Sequence, residues 1–123
     1  MLDHVTIGGR DIVRSKAFYD AVLRPLGIER LYAEGEIFAG YGIAQKAFFW
    51  IGQRDAAQTG AHVAFAAESR GRVDDFHRVA IAAGGIDNGA PGLRPHYHQN
   101  YYGAFILDPD GHNIEAVCHL SVR

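Results

Sequence analysis

The chain has 123 residues, 48% hydrophobic and 21% charged, with a formal net charge of −2. This suits one globular domain with its own core, and the charge leaves no electrostatic footprint for nucleic acid or an anionic membrane. The single cysteine excludes an internal disulfide and fits a reducing cytoplasm, and no apolar run approaches the ~18 residues of a membrane span.

Residues 2–8 alternate His4 and Thr6 with Val5 and Ile7, the pattern of a half-buried strand, and Gly8-Gly9 breaks it. Asp11 can cap a helix that runs to about Leu23, with Phe18, Ala21 and Val22 on one face and Pro25 and Gly27 as its stop. Three short strands are predicted over residues 28–33, 37–41 and 47–51. The order then begins again. A strand over residues 61–67 precedes a helix over 73–83 that carries Val73, Phe76, Val79, Ala80 and Ala83, with Gly84-Gly85 ending it. A strand near 86–94 leads to an aromatic-rich insertion from Pro95 to Tyr102. The last strands, 103–107 and 112–119, flank Asp108-Pro109-Asp110-Gly111, a strong hairpin signal.

The two halves match without a gap at an offset of 58 residues, the step from His4 to His62. Asp3-His4-Val5 answers Ala61-His62-Val63, Phe18 answers Phe76, and Gly27 answers Gly85. A register that keeps a helix aromatic and a turn glycine in step marks a duplicated supersecondary unit. The expected architecture is α+β: one domain of two βαβββ units, about residues 1–56 and 59–123, with two helices covering eight strands.

His4 and His62 fall at the same repeat position, on the strand face opposite the helix. In the last strand Glu115 lies between Ile114 and Ala116, a poor place for a carboxylate unless a cation neutralises it. Two imidazoles and one carboxylate form a facial triad that leaves coordination positions open, suited to Fe, Mn, Zn, Co or Ni. His96, His98, Tyr101 and Tyr102 in the insertion can donate protons or stack on a ligand, and an exposed loop or dimer contact explains them equally well. Cys118 is read as a small core residue, and His77 and His112 as positions on a solvated helix face and a turn. Phe48, Phe49 and Trp50 fit a cup floor or core packing.

The paired units, each opening on His-Val, and the closing Asp-Pro-Asp-Gly-His-Asn-Ile-Glu of residues 108–115 resemble the vicinal oxygen chelate superfamily. That superfamily includes glyoxalase I, the bleomycin-resistance proteins, fosfomycin-resistance enzymes and extradiol dioxygenases, and the resemblance spans essentially the whole chain. It implies a cup-shaped mixed sheet, commonly in a homodimer with shared or swapped halves. It also implies His4, His62 and Glu115 as ligands of a divalent metal ion; the residue types of the insertion, not the resemblance, give Tyr102, His96 and His98 as the proton-handling candidates. The implied function is a metal-dependent lyase, isomerase or dioxygenase whose small substrate chelates the metal through neighbouring oxygens. The alternative is a metal-free binding protein of the bleomycin-resistance type.

Two departures narrow the reading. Glyoxalase I carries a further glutamate on the last strand of the first unit, and aligning residues 47–51 on 113–117 places Phe49 there. A phenyl ring neither ligates nor moves a proton, so glyoxalase I activity itself is not expected. Fosfomycin-resistance enzymes carry a tyrosine just before Asp-Pro-Asp-Gly, where this chain reads Gly103-Ala104-Phe105-Ile106-Leu107. Whether His4 and His62 meet within one chain or across a dimer is open at this level.

Overall fold

Alternation of Val5 and Ile7 with Thr6 turns one side of the first strand into the core and the other to solvent, and the same logic recurs along the chain. The computed structural model describes residues 1–56 and 58–121. The first unit contains β1 (Val5–Gly9), α1 (Ile12–Val22), a 3₁₀ turn (Arg24–Leu26), β2 (Glu29–Glu34), β3 (Phe38–Ile43) and β4 (Lys46–Gln53). The second contains β5 (His62–Ala66), α2 (Arg70–Ala82), β6 (Ile86–Leu93), β7 (Tyr102–Leu107) and β8 (Asn113–Cys118). The fold is α+β, with two four-stranded mixed sheets ordered β1-β4-β3-β2 and β5-β8-β7-β6. In each, the first strand of a unit pairs parallel with its last, and the remaining pairs are antiparallel.

Local signals explain the helix starts. Asp11 caps α1 by accepting from the Arg14 backbone N–H at 3.1 Å. Ser69 does the same for α2, accepting from Arg72 N–H at 3.2 Å, so that helix begins at Arg70 rather than Val73. Both helices pack on the inner faces of the sheets in one shared core. Phe49 is its hub: its ring meets Tyr19 and Phe65 edge-on, each at 5.1 Å between centroids, linking α1 and both sheets.

The turn at residues 108–112 joins the second unit to the first. The buried Asp108 carboxylate accepts from Tyr19 Oη at 2.5 Å and from the backbone N–H of Asp110 and His112, both at 2.9 Å. His112, expected on a solvated turn, is instead 2% exposed. Its Nε2 donates to the Gly8 carbonyl at 2.8 Å and its Nδ1 accepts from Ala61 N–H at 3.2 Å, which requires the neutral Nε2–H tautomer. Asp110 continues the joint by accepting from the Arg10 backbone, Arg14 and Ser15 of the first unit. His77 is not simply solvated either: its Nε2 lies 2.8 Å from Asp87 Oδ1 at the start of β6.

Candidate functional site

Each sheet has a second face, turned away from the core, and its composition follows from strand register. On the first sheet Thr6 of β1 stands opposite Trp50 of β4. On the second, Ala64 of β5 stands opposite Glu115 of β8. Thr6 and Ala64 are equivalent at the repeat offset, so the first-unit counterpart of Glu115 is Trp50. The expected Phe49–Glu115 correspondence is therefore wrong by one residue. Phe49 is fully buried on the core face, as Ile114 is in the second unit. Residues 47–51 are all apolar, so nothing local marks which of them faces outward, and a one-residue slip exchanges the faces.

Glu115 is only 1% exposed although it lies on this outer face. Its Oε1 is 2.9 Å from His62 Nε2, and its Oε2 accepts from the Tyr101 hydroxyl. The His62 side chain remains 52% exposed, so the pair is open on the imidazole side. Gly103 leaves room for the tyrosine contact, since a Cβ there would crowd Glu115 Oε2 at 3.3 Å and the Tyr101 ring at 3.1 Å. Burial, and then the Glu115 carboxylate, push the Tyr101 phenol above its ordinary range, so Tyr101 is a neutral O–H donor near pH 7. Phe105 forms one wall, its ring 6.2 Å from that of His62. Arg94 lies over Phe105 at 5.4 Å and donates to the carbonyls of Ala90, Gly92 and Gly103, which locks the irregular β6–β7 edge.

The other expected site residues lie as follows. Tyr102 points to the helix side of β7 and its hydroxyl donates to Asp74 Oδ1 of α2 at 2.6 Å. His96 packs against Tyr97, with ring centroids 4.2 Å apart. His98 packs against His119 at 5.4 Å, and its Nδ1 accepts from Asn100 N–H. Tyr101 thus reaches Glu115, and Gly103 beside the carboxylate is the sequence feature that points to it. His4 is exposed, with Nδ1 2.7 Å from Asp3 Oδ1, and that carboxylate also meets Lys46 Nζ at 2.9 Å. Among the described residues no three His, Cys, Asp or Glu side chains gather as a metal-binding group. One chain therefore brings His62 and Glu115 together and leaves His4 apart. His62 opens β5 and His4 immediately precedes β1, and among the described residues both strands lie at the ends of their sheets.

The family profile described as "Glyoxalase/Bleomycin resistance protein/Dioxygenase superfamily" matches residues 1–116. The chain belongs to this superfamily. A glyoxalase/bleomycin resistance protein from Albidiferax ferrireducens is 32% identical, with a TM-score of 0.83 and coverage of 98% of this chain and 99% of that one. A glyoxalase/bleomycin resistance protein/dioxygenase family enzyme from Burkholderia phytofirmans is 25% identical, with a TM-score of 0.74 over 96% and 98% of the two chains. The fosfomycin resistance protein FosX from Listeria monocytogenes, complexed with Mn(II) and a dihydroxypropylphosphonic acid, shares the fold at 22% identity and a TM-score of 0.70, over 95% and 88%. No match is found among the curated proteins. Among the described residues no helix is long and apolar enough to cross a membrane.

Superfamily members often use divalent metals, and the donor set can be tested against that use. His62 and Glu115 offer an imidazole nitrogen and a carboxylate oxygen side by side, the donor types such ions take. Among the described residues no third His, Cys, Asp or Glu side chain joins this pair.

Proposed function

We propose that the chain acts as a cytoplasmic homodimer whose metal site is shared, with His62 and Glu115 from one copy and His4 from a second. The reaction class is a glyoxalase-like lyase or isomerase, or an extradiol-type dioxygenase, on a small substrate that binds through two neighbouring oxygens. The observation that carries this is Glu115: a carboxylate withdrawn from water on an outer sheet face, held by a half-exposed imidazole on the edge strand β5. Burying a charge is costly unless a counter-charge offsets it, and an ion on the open side of His62 supplies one. When bound, the ion (Fe, Mn, Zn, Co or Ni) polarises the substrate oxygens as a Lewis acid.

The chain's own residues do the rest. Tyr101 orients Glu115 by donating to Oε2, which leaves Oε1 aimed at His62. Burial, and then Glu115, keep its phenol protonated at neutral pH, so Tyr101 acts as an O–H donor that positions the carboxylate. His96 and His98 belong to the same 95–101 segment, where they pack on Tyr97 and His119, while Tyr102 steadies that segment from the α2 side. Trp50, at the position equivalent to Glu115, supplies no fourth ligand, which argues against glyoxalase I chemistry.

Metal analysis of protein purified without chelator tests the reading. About one divalent ion per subunit is expected in the wild type, falling below roughly a tenth of that in His4→Ala, His62→Ala and Glu115→Ala variants of unchanged circular dichroism. A wild type that stays metal-free after incubation with each candidate ion sinks it. The second reading, a metal-free binding module, is favoured by one observation: both Glu115 oxygens are hydrogen-bonded by this chain's own His62 and Tyr101 side chains. It predicts ligand binding that chelator leaves unchanged and metal content near zero in every variant.

A further inference from the structure

The outer face of the first sheet is an aromatic cleft with a cation at one end, and glycines create it. At Gly40 an added Cβ would come within 2.5 Å of the Trp50 ring, so the indole lies flat over that position. Tyr32 of β2 stacks beside it at 5.7 Å and 15°, and Phe38 meets it edge-on at 5.8 Å. The cleft measures about 340 Å³ and is lined by His4, Thr6, Ile37, Phe38, Trp50 and Arg54 among others, with no carboxylate among the lining residues. Tyr32 and Ile37 are more than half exposed, so this apolar surface is open in the single chain.

The cation is Arg54. An added Cβ at Gly52 would lie 2.8 Å from Arg54 Nη1, so the guanidinium hangs over the position two residues beyond Trp50 on the same face. Strand geometry sets that spacing at about 7 Å, which a ring centre-to-carboxylate oxygen span of about 4–5 Å and one hydrogen bond of about 2.9 Å together fill. Nη1 donates to the Gln53 carbonyl at 2.9 Å, and among the described residues no carboxylate pairs with Arg54. The neighbouring Gln53 amide is committed to the Arg10 and Arg54 carbonyls and the Ile12 N–H, which leaves the guanidinium as the strong free donor at this end.

We infer that this cleft binds a planar aromatic ring bearing an anionic group, the ring stacked on Trp50 and the anion on Arg54. An indole face favours a π-system over a saturated ring of equal size, and a guanidinium fork favours a carboxylate over a neutral hydroxyl. The inference deepens the proposed function by giving the substrate a ring and a charge. It rests on that reading for catalysis alone, because every residue of the cleft comes from one chain.

The binding step is testable without metal. Trp50 is the only tryptophan, so intrinsic fluorescence reports from the cleft itself. In EDTA-treated full-length protein, naphthoate should quench that emission saturably. Calorimetry should place naphthalenemethanol and cyclohexanecarboxylate each at least roughly tenfold weaker than naphthoate. Arg54→Gln, at an exposed side chain, should weaken naphthoate roughly tenfold and leave naphthalenemethanol unchanged. Trp50→Leu, with folding checked by circular dichroism, should weaken both aromatic ligands. Absent or non-saturable naphthoate binding, or binding unchanged in Arg54→Gln, overturns the inference. Saturable binding by a protein that takes up no metal would sink the metal reading and leave this one standing, and the reverse pattern would do the opposite.

Discussion

The outer faces of the two sheets start from one ladder and end as different surfaces. In the first unit Thr6 stands opposite Trp50, and the result is an open aromatic floor with a cation at its end. In the second, Ala64 stands opposite Glu115, and a withdrawn carboxylate is closed over by Tyr101 and half-open at His62. The core faces of the same strands diverged far less, because Phe49 and Ile114 both fill interior space. A position facing the core is constrained by volume; one facing outward is free to exchange a carboxylate for an indole. In the proposed function the outer face of one unit would hold an ion and that of the other a ring, which is the division a shared site between two copies would use.

Two buried carboxylates, Asp108 and Glu115, should respond oppositely to neutralisation. Asp108 is saturated by Tyr19 and two backbone donors inside the joint between the units, whereas Glu115 faces outward. Asp108→Asn should cost about 2 kcal/mol by denaturant unfolding, since Oδ1 can keep both backbone donors but an amide NH2 then faces the buried Tyr19 hydroxyl. Glu115→Gln should cost close to nothing or stabilise slightly, since a charge kept for function opposes folding. Equal losses would remove the distinction. Next, Trp50→Glu restores the symmetric pair of carboxylates. It should raise metal affinity roughly tenfold while abolishing naphthoate binding, as titration calorimetry would show.

A third expected effect is on alkaline stability. Burial first, and then Asp108, hold the Tyr19 phenol protonated well above its ordinary range, and burial acts likewise on Tyr41 and Tyr101. Above a pH of about 10 the unfolded chain gives up these protons and the folded chain keeps them. Stability is therefore full below that pH and declines as pH rises past it. Melting temperatures followed upward from pH 9 or so should fall more steeply for wild type than for Tyr19→Phe, which starts lower but lacks the most buried of the three phenols. The smallest expected effect is at the β3–β4 turn, where Ala44 and Gln45 both hold positive φ, 50° and 69°. Gln45→Gly should stabilise by about 1 kcal/mol, since such hairpin turns favour glycine there.

Much of this was legible in the residues alone. The offset from His4 to His62 carries the duplication, and the alternation around Glu115 places it opposite Ile114 and Ala116, as β8 shows. What escaped sequence reading depends on partners distant in the chain. The facing of Trp50 rests on the parallel β1–β4 register, which an all-apolar run does not encode. The burial of His112 rests on Gly8 and Ala61, both far away in the chain. Tyr101 and Tyr102 are adjacent residues of the same type, and only the start of β7 at Tyr102 and the gap at Gly103 decide which of them meets Glu115.

The shared site is tested most directly by complementation. His4→Ala and His62→Ala proteins, each unable to hold metal, would be mixed, unfolded and refolded together, and their metal content measured. Random pairing makes half the dimers mixed, each with one intact site, so about a quarter of the wild-type metal should return. If the mixture binds no more metal than either variant alone while wild type refolded the same way recovers its ion, the site is not shared between copies, and the account of these two faces is wrong.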